Sequence, residues 1–214
     1  MSYDLQLRQH IAQTSTRLLR QHIAQISARL MVQEGITDFH QAKRKAAMQL
    51  GIANSKKHLP SNGEIEAELS LYQRLFHANS HNLKLYQQRQ VALQTMRLLV
   101  HFTPRLVGAV LHGTAVANSD VVLHLFTHSP EDVAFFLMDR GIPYEVTERR
   151  FRLPQVVSYP SYQFVAGEEK VVLVIFGIDD IRWSPPSPID GKPMRRADVL
   201  AVERLLLEGI NSIG

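Results

Sequence analysis

With 214 residues, 45% apolar and 21% charged side chains and no cysteine, the chain reads as one or two globular domains without disulfides, thiolate zinc sites or cysteine nucleophiles. Its net charge of +4 is uneven: residues 1–100 hold 13 Lys and Arg against 6 Asp and Glu, and residues 101–214 hold 11 against 14. The first residues are too polar for a secretory signal and runs such as Val171 to Phe176 too short to cross a bilayer, so the expectation is a cytoplasmic protein with no membrane partner.

In chain order, an internal repeat comes first. Leu7 to Leu18 (LRQHIAQTSTRL) and Leu19 to Leu30 (LRQHIAQISARL) agree at ten of twelve positions. Twelve residues at helical pitch rotate the second copy by about 120° from the first, so the two apolar stripes cannot face one core. The second copy has Ile26 and Ala28 where the first has Thr14 and Thr16. It reads as the packed copy, and residues 1–18 as an extension that protrudes, frays or touches a partner chain.

Thr37 or Asp38 caps a helix to about Leu50, with Gly51 as its stop. The basic run Lys43-Arg44-Lys45, with Lys56 and Lys57 nearby, is either a phosphate grip or a solvated helix face. Ser61-Asn-Gly-Glu64 has capping-box spacing and opens a helix to about His77, on which Ile65, Leu69, Tyr72 and Phe76 recur at helical spacing. A loop over Asn79 to Asn82 precedes a fourth helix, Leu83 to Leu99. At Thr103-Pro104 the pattern changes. Leu106 to Leu111 and Val121 to Phe126 read as paired strands, and Ser129-Pro130-Glu131-Asp132 opens a helix ending at Gly141. Further strands are expected near Pro143 to Glu148, Tyr162 to Val165 and Val171 to Phe176. A proline-rich loop at Ser184 follows, then a last helix from about Arg195 to Glu208 with Gly209 as its C-cap. Helices first and mixed elements later predict an α+β chain: a helical region over residues 1–100 and an α/β domain with a small mixed sheet over 101–214.

The segment VGAVLHGTAVANSDVVLHLF, Val107 to Phe126, carries the chemistry. It resembles the nucleotidyltransferase superfamily with the polymerase-beta-like fold, over residues of about 100–182. Leu111-His-Gly113-Thr114 stands where that family has its Gly-Ser turn, and Ser119-Asp120-Val-Val-Leu123 where it has Ser-Asp-x-Asp. The resemblance implies that Gly113, Thr114 and Ser119 line a nucleotide's phosphates. It also implies that Asp120 is a catalytic carboxylate holding Mg²⁺ or Mn²⁺ with other acids. The second acid position is Val122, and the later strand offers Glu168, Glu169 and Asp179 only at its ends. One carboxylate is too few for a two-metal site. The reading is therefore a catalytically degenerate nucleotidyltransferase-like protein that binds a nucleotide or nucleic acid.

Alternation on the strand puts Asp120, Val122, His124 and Phe126 on one face. With an antiparallel neighbour bringing His112 close, Asp120, His124 and His112 make a small polar or transition-metal site. The alternative is that His124 is a sheet histidine with a backbone partner. Two other functions stay open: an active nucleotidyltransferase with an atypical metal site, and an interaction protein that forms a homodimer through its N-terminal helices.

Overall fold

Helical and alternating hydrophobic patterns build two compact units, Met1–His77 and Ala78–Gly214, in a computed structural model. It describes residues 2–52, 58–152 and 155–210, without the side chains of residues 2–5, 8, 9, 12 and 210. Among the described residues the chain is α+β, with seven α-helices and one five-stranded mixed sheet.

The first unit holds three helices: α1 (Ser2–Glu34), α2 (Phe39–Gln49) and α3 (Asn62–Phe76). Both repeat copies lie on α1, and the second is the packed one: Ile23, Ala24, Ser27, Ala28 and Leu30 are buried. Asp38 caps α2 by accepting from the Gln41 amide at 2.6 Å. Ser61 and Glu64 close the capping box of α3, each side chain taking the other residue's backbone N–H. Lys43 turns inward and donates to Pro60 O at 2.8 Å and Asn62 Oδ1 at 2.7 Å, and Lys45 pairs with Glu34. Two cations of the basic run thus tie α2 to its neighbours. Lys56 and Lys57 lie outside the described residues.

The second unit begins with α4 (Ala78–Leu98), so the helix expected from Leu83 starts five residues earlier and belongs with the sheet. The expected loop at Asn79 to Asn82 forms its first turns. The expected strand at Leu106 to Leu111 is a three-residue strand, β1 (Arg105–Val107), followed by the short helix α5 (Gly108–His112). Gly108 takes φ +75°, a left-handed turn that redirects the chain out of the strand. Then come β2 (Val121–Thr127), α6 (Pro130–Asp139), β3 (Glu145–Arg152), β4 (Val156–Ala166), β5 (Glu169–Gly177), a 3-10 turn (Ile178–Arg182) and α7 (Val199–Ile210). The Ser129 hydroxyl goes to Glu131 and makes no capping bond to α6. The last helix starts later than Arg195 because Ala197 bridges Leu106 of β1 and Asp198 accepts from the Ala201 amide. Gly209, expected as its C-cap, lies inside it.

The strand order is β1-β2-β5-β4-β3, with β2 and β5 parallel and the other pairs antiparallel. Directly paired residues share a face, so register sorts every side chain. Leu106, Leu123, Leu173 and Tyr162 form one row, Val121, Val171 and Phe164 another. These rows join the main core with side chains of α4, α5, α6 and α7. The opposite face carries a smaller buried cluster of strand residues alone: Phe126, Val172, Val174 and Phe176.

Truncating Leu123, which is fully buried in the main core, should cost this unit about 2–5 kcal/mol of stability. Denaturant unfolding of Leu123→Ala, followed by the fluorescence of Trp183, the single tryptophan, reads that loss; an unchanged midpoint would mean the helices do not pack on this face.

Candidate functional site

The Gly113 turn is built as a helix end. Gly113 closes α5 in the left-handed conformation at φ +81°, and its amide and that of Thr114 both donate to Ala109 O, at 2.9 and 3.0 Å. The backbone donors expected to meet phosphates are thus committed to the cap. On the acceptor side α4 does the capping. Arg89 donates to Val110 O at 3.2 Å and Leu111 O at 3.4 Å, and His81 Nε2 donates to Gly113 O at 3.0 Å. A side chain added at Gly113 would meet Arg89 and Leu85 of α4 at 3.7 Å. Ser119 closes the following turn on itself, its hydroxyl accepting from the Val116 amide at 2.8 Å. Gln88 then holds the Ser119 carbonyl at 3.0 Å and Glu169 at 3.2 Å.

Asp120 precedes β2 and is half-buried. In the next positions, Val122 lies beside Val172 of β5 in register. Glu169, the acid at the start of β5, is turned to α4, where it pairs with Lys84 and Gln88. The strand pairing places Arg105, not His112, opposite His124. His112 ends α5 instead. Among the described residues no group of three or more His, Cys, Asp or Glu is arranged to hold a metal ion.

His124 is completely buried on the sheet face opposite the main core, called helix-free because its buried cluster holds no α-helical residue among those described, against Phe176 (ring centroids 4.5 Å apart) and edge-on to Phe151. Its partner is a side chain 72 residues away: Arg196 Nε donates to His124 Nδ1 at 3.2 Å. Nδ1 is therefore the bare nitrogen and Nε2 carries the proton. Nε2 has no hydrogen-bond partner, and neither do Ser161 Oγ or Arg196 Nη2, both also buried. Register puts Ser161 on the same face, two strands from His124. Arg196 reaches this face from the segment that bridges β1. Its guanidinium lies 4.7 Å from the Phe126 ring and 5.2 Å from the Phe176 ring, and Nη1 donates to the carbonyls of Asp180, Ile181 and Trp183.

Two more arginines share the face. Arg105 is paired across to His124, and Arg149 is paired to Tyr159, which packs on Phe176 at 4.4 Å. Among the described residues, none of Arg105, Arg149 and Arg196 has a carboxylate within ion-pair distance. Burial and then Arg105 pull the Arg196 pKa down to about 10, with Asp180 opposing, so it remains a cation at neutral pH. Burial, then Arg196 and Arg149, push His124 down to about 3, so its imidazole is neutral. Arg105, Arg149, Ser161 and Arg196 were not singled out from the sequence. Their shared face follows only from strand register and from a bridge between distant segments.

No protein-family model, curated protein or solved structure matches the chain.

The His124 shift has a sign that can be measured. Below pH 6.5 the unfolded imidazole takes up a proton that the folded one refuses until about pH 3. Stability is thus lost as pH falls through that window, by up to ~1.4 kcal/mol per pH unit for this group. Stability curves of natural protein and His124→Gln should draw together or cross on acidification from pH 6.5; a difference constant with pH would mean that His124 titrates alike in both states.

Proposed function

We propose that the sheet unit is a nucleotidyltransferase-like binding module that takes a nucleotide or a nucleic-acid strand on its helix-free face without transferring a nucleotidyl group. The observation that carries this reading is the set of three arginines, Arg105, Arg149 and Arg196, sharing one sheet face with, among the described residues, no carboxylate within ion-pair distance of any of them. Like charges gathered in this way repel one another and favour an anionic ligand. Arg149 is exposed and Arg105 half-buried, so both stand where phosphate oxygens can reach them. The half-exposed rings of Tyr159 and Phe151 add flat apolar surface for a base. Against transfer chemistry, Asp120 lacks an acidic companion at Val122, and Glu169 is engaged by Lys84.

Short single-stranded RNA should bind at micromolar levels in fluorescence anisotropy, nucleoside triphosphates should raise the melting temperature at millimolar levels, and both effects should weaken with salt. Arg149→Glu should weaken RNA binding ~10-fold or more, whereas Asp120→Ala should leave it unchanged. Absence of binding by both ligand classes ends the proposal. Labelling of an acceptor from labelled nucleotide with Mg²⁺ or Mn²⁺, lost in Asp120→Ala, would replace it with an active transferase.

A further inference from the structure

The duplicated segment on α1 places one set of side chains in two opposite situations. In the second copy Ile23 and Leu30 are 0% and 3% exposed, packed in the first unit's core. Their counterparts in the first copy, Ile11 and Leu18, are 56% and 61% exposed, and Leu7 is 48% exposed. The helix itself causes the difference. α1 runs unbroken from Ser2 to Glu34, and a twelve-residue shift turns the first copy about 120° away from the face that the second presents to α2 and α3. Residues 2–17 form about 24 Å of helix, and none of those with described side chains is buried. An amphipathic helix of this kind is stabilised chiefly by burying its apolar stripe.

A receiving surface lies on the same unit. A cleft of about 350 Å³ runs between α1 and α3, lined among others by Ile26, Arg29, Glu68, Leu71, Leu75 and Phe76. Leu75 and Phe76 are 63% and 67% exposed. The charges match as well. Glu68 of α3 lines the cleft beside Arg29, and the first copy carries Arg17 as the counterpart of Arg29.

We propose that the first copy of the repeat is a docking face for a second copy of this chain: residues 7–18 of each protomer seat on the exposed α3 side of the cleft of the other. The occupant is argued from the duplication: the second copy packs with α3, whose buried residues are Ile65, Leu69 and Gln73, and the first copy offers nearly the same side chains to the adjoining exposed side of α3, Leu71, Leu75 and Phe76. Exchange between two identical chains makes the contact twice, around a two-fold axis. Thr14 and Thr16, standing where the packed copy has Ile26 and Ala28, make the contact weaker than the internal one.

Light scattering and sedimentation of the full chain from micromolar to near-millimolar concentration test this. The natural chain should move from 24.3 kDa toward twice that mass. Ile11→Asp with Leu18→Asp should raise the dissociation constant by at least ~100-fold with an unchanged circular dichroism melt. Thr14→Ile with Thr16→Ala, which makes the first copy identical to the second, should lower it by at least ~10-fold. A chain that stays monomeric throughout, in both its natural and its Thr14→Ile/Thr16→Ala forms, overturns the proposal. So does a dimer indifferent to Ile11→Asp and Leu18→Asp.

Discussion

The parity of β2 governs the second unit. Val121, Leu123 and Leu125 project to one side and Val122, His124 and Phe126 to the other, and β5 repeats that division through its parallel pairing. A strand buried on both faces normally reads as a continuous apolar run. Here the run is broken by one histidine, fully buried and opposite Arg105. Four helices supply the cover for the first side, so its packing follows from ordinary apolar burial. The second side has a small aromatic cluster and a guanidinium that reaches over it. The cost of that arrangement is visible in three buried polar atoms without partners, each of the kind that leaves about 1–3 kcal/mol uncompensated. Buried polar atoms left in this state in a native fold are explained by strain, by a catalytic or redox role, or by a bound water or ion.

The same parity separates the two places where a ligand could be sought. Around Gly113 the amides cap α5, the carbonyls meet Arg89 and His81, and Gln88 Nε2 links the Ser119 turn to Glu169, while Gln88 Oε1 is buried without a partner. A glycine bend of this kind owes its left-handed residue to helix termination, which needs no phosphate. On the helix-free face the balance is reversed. Among the described residues its three arginines have no carboxylate within ion-pair distance, and burial, then the cations Arg196 and Arg149, keeps His124 neutral. A transition-metal ion would meet the same cations, and the Nδ1 lone pair it would need is held by Arg196.

Local signals in the sequence were legible, and long-range ones were not. The capping box at Ser61 and Glu64 and the cap at Asp38 rest on neighbours three residues apart, and both formed as read. The apolar runs at Val121 and Val171 became β2 and β5 because strands this apolar have few alternatives. The run from Leu106 misled, since valine favours strands while Gly108 and Gly113 bracket a single helical turn too short to show periodicity. β4 extends past its expected start at Tyr162 and carries Pro160 where it has outrun β5, in the two-stranded part of the hairpin. The division near residue 100 followed composition, whereas α4 is a helix whose polar side chains Lys84, Gln88 and Arg89 hold the sheet unit's turns. Arg196 beside His124 had no sequence signal at all, because the bridge from Ala197 to Leu106 is what brings it there.

Helical pitch limits α1 as strand parity limits β2. A duplication of eleven residues would have kept the two stripes nearly aligned, because eleven residues make almost three whole turns. Twelve do not, so the first copy has no place in the core that the second occupies. Its Ile and Leu remained outside, on a helix continuous with a well-packed one and therefore held in helical form by it. A rigid extension displaying a nearly exact copy of an internal packing face presents to the outside what the interior already accepts. The two threonines make it less apolar than the packed copy, which has the half-buried, cleft-lining Ile26 and the fully buried Ala28 at those positions. A face of this composition exposes less apolar surface to water than an exact copy of the packed one would.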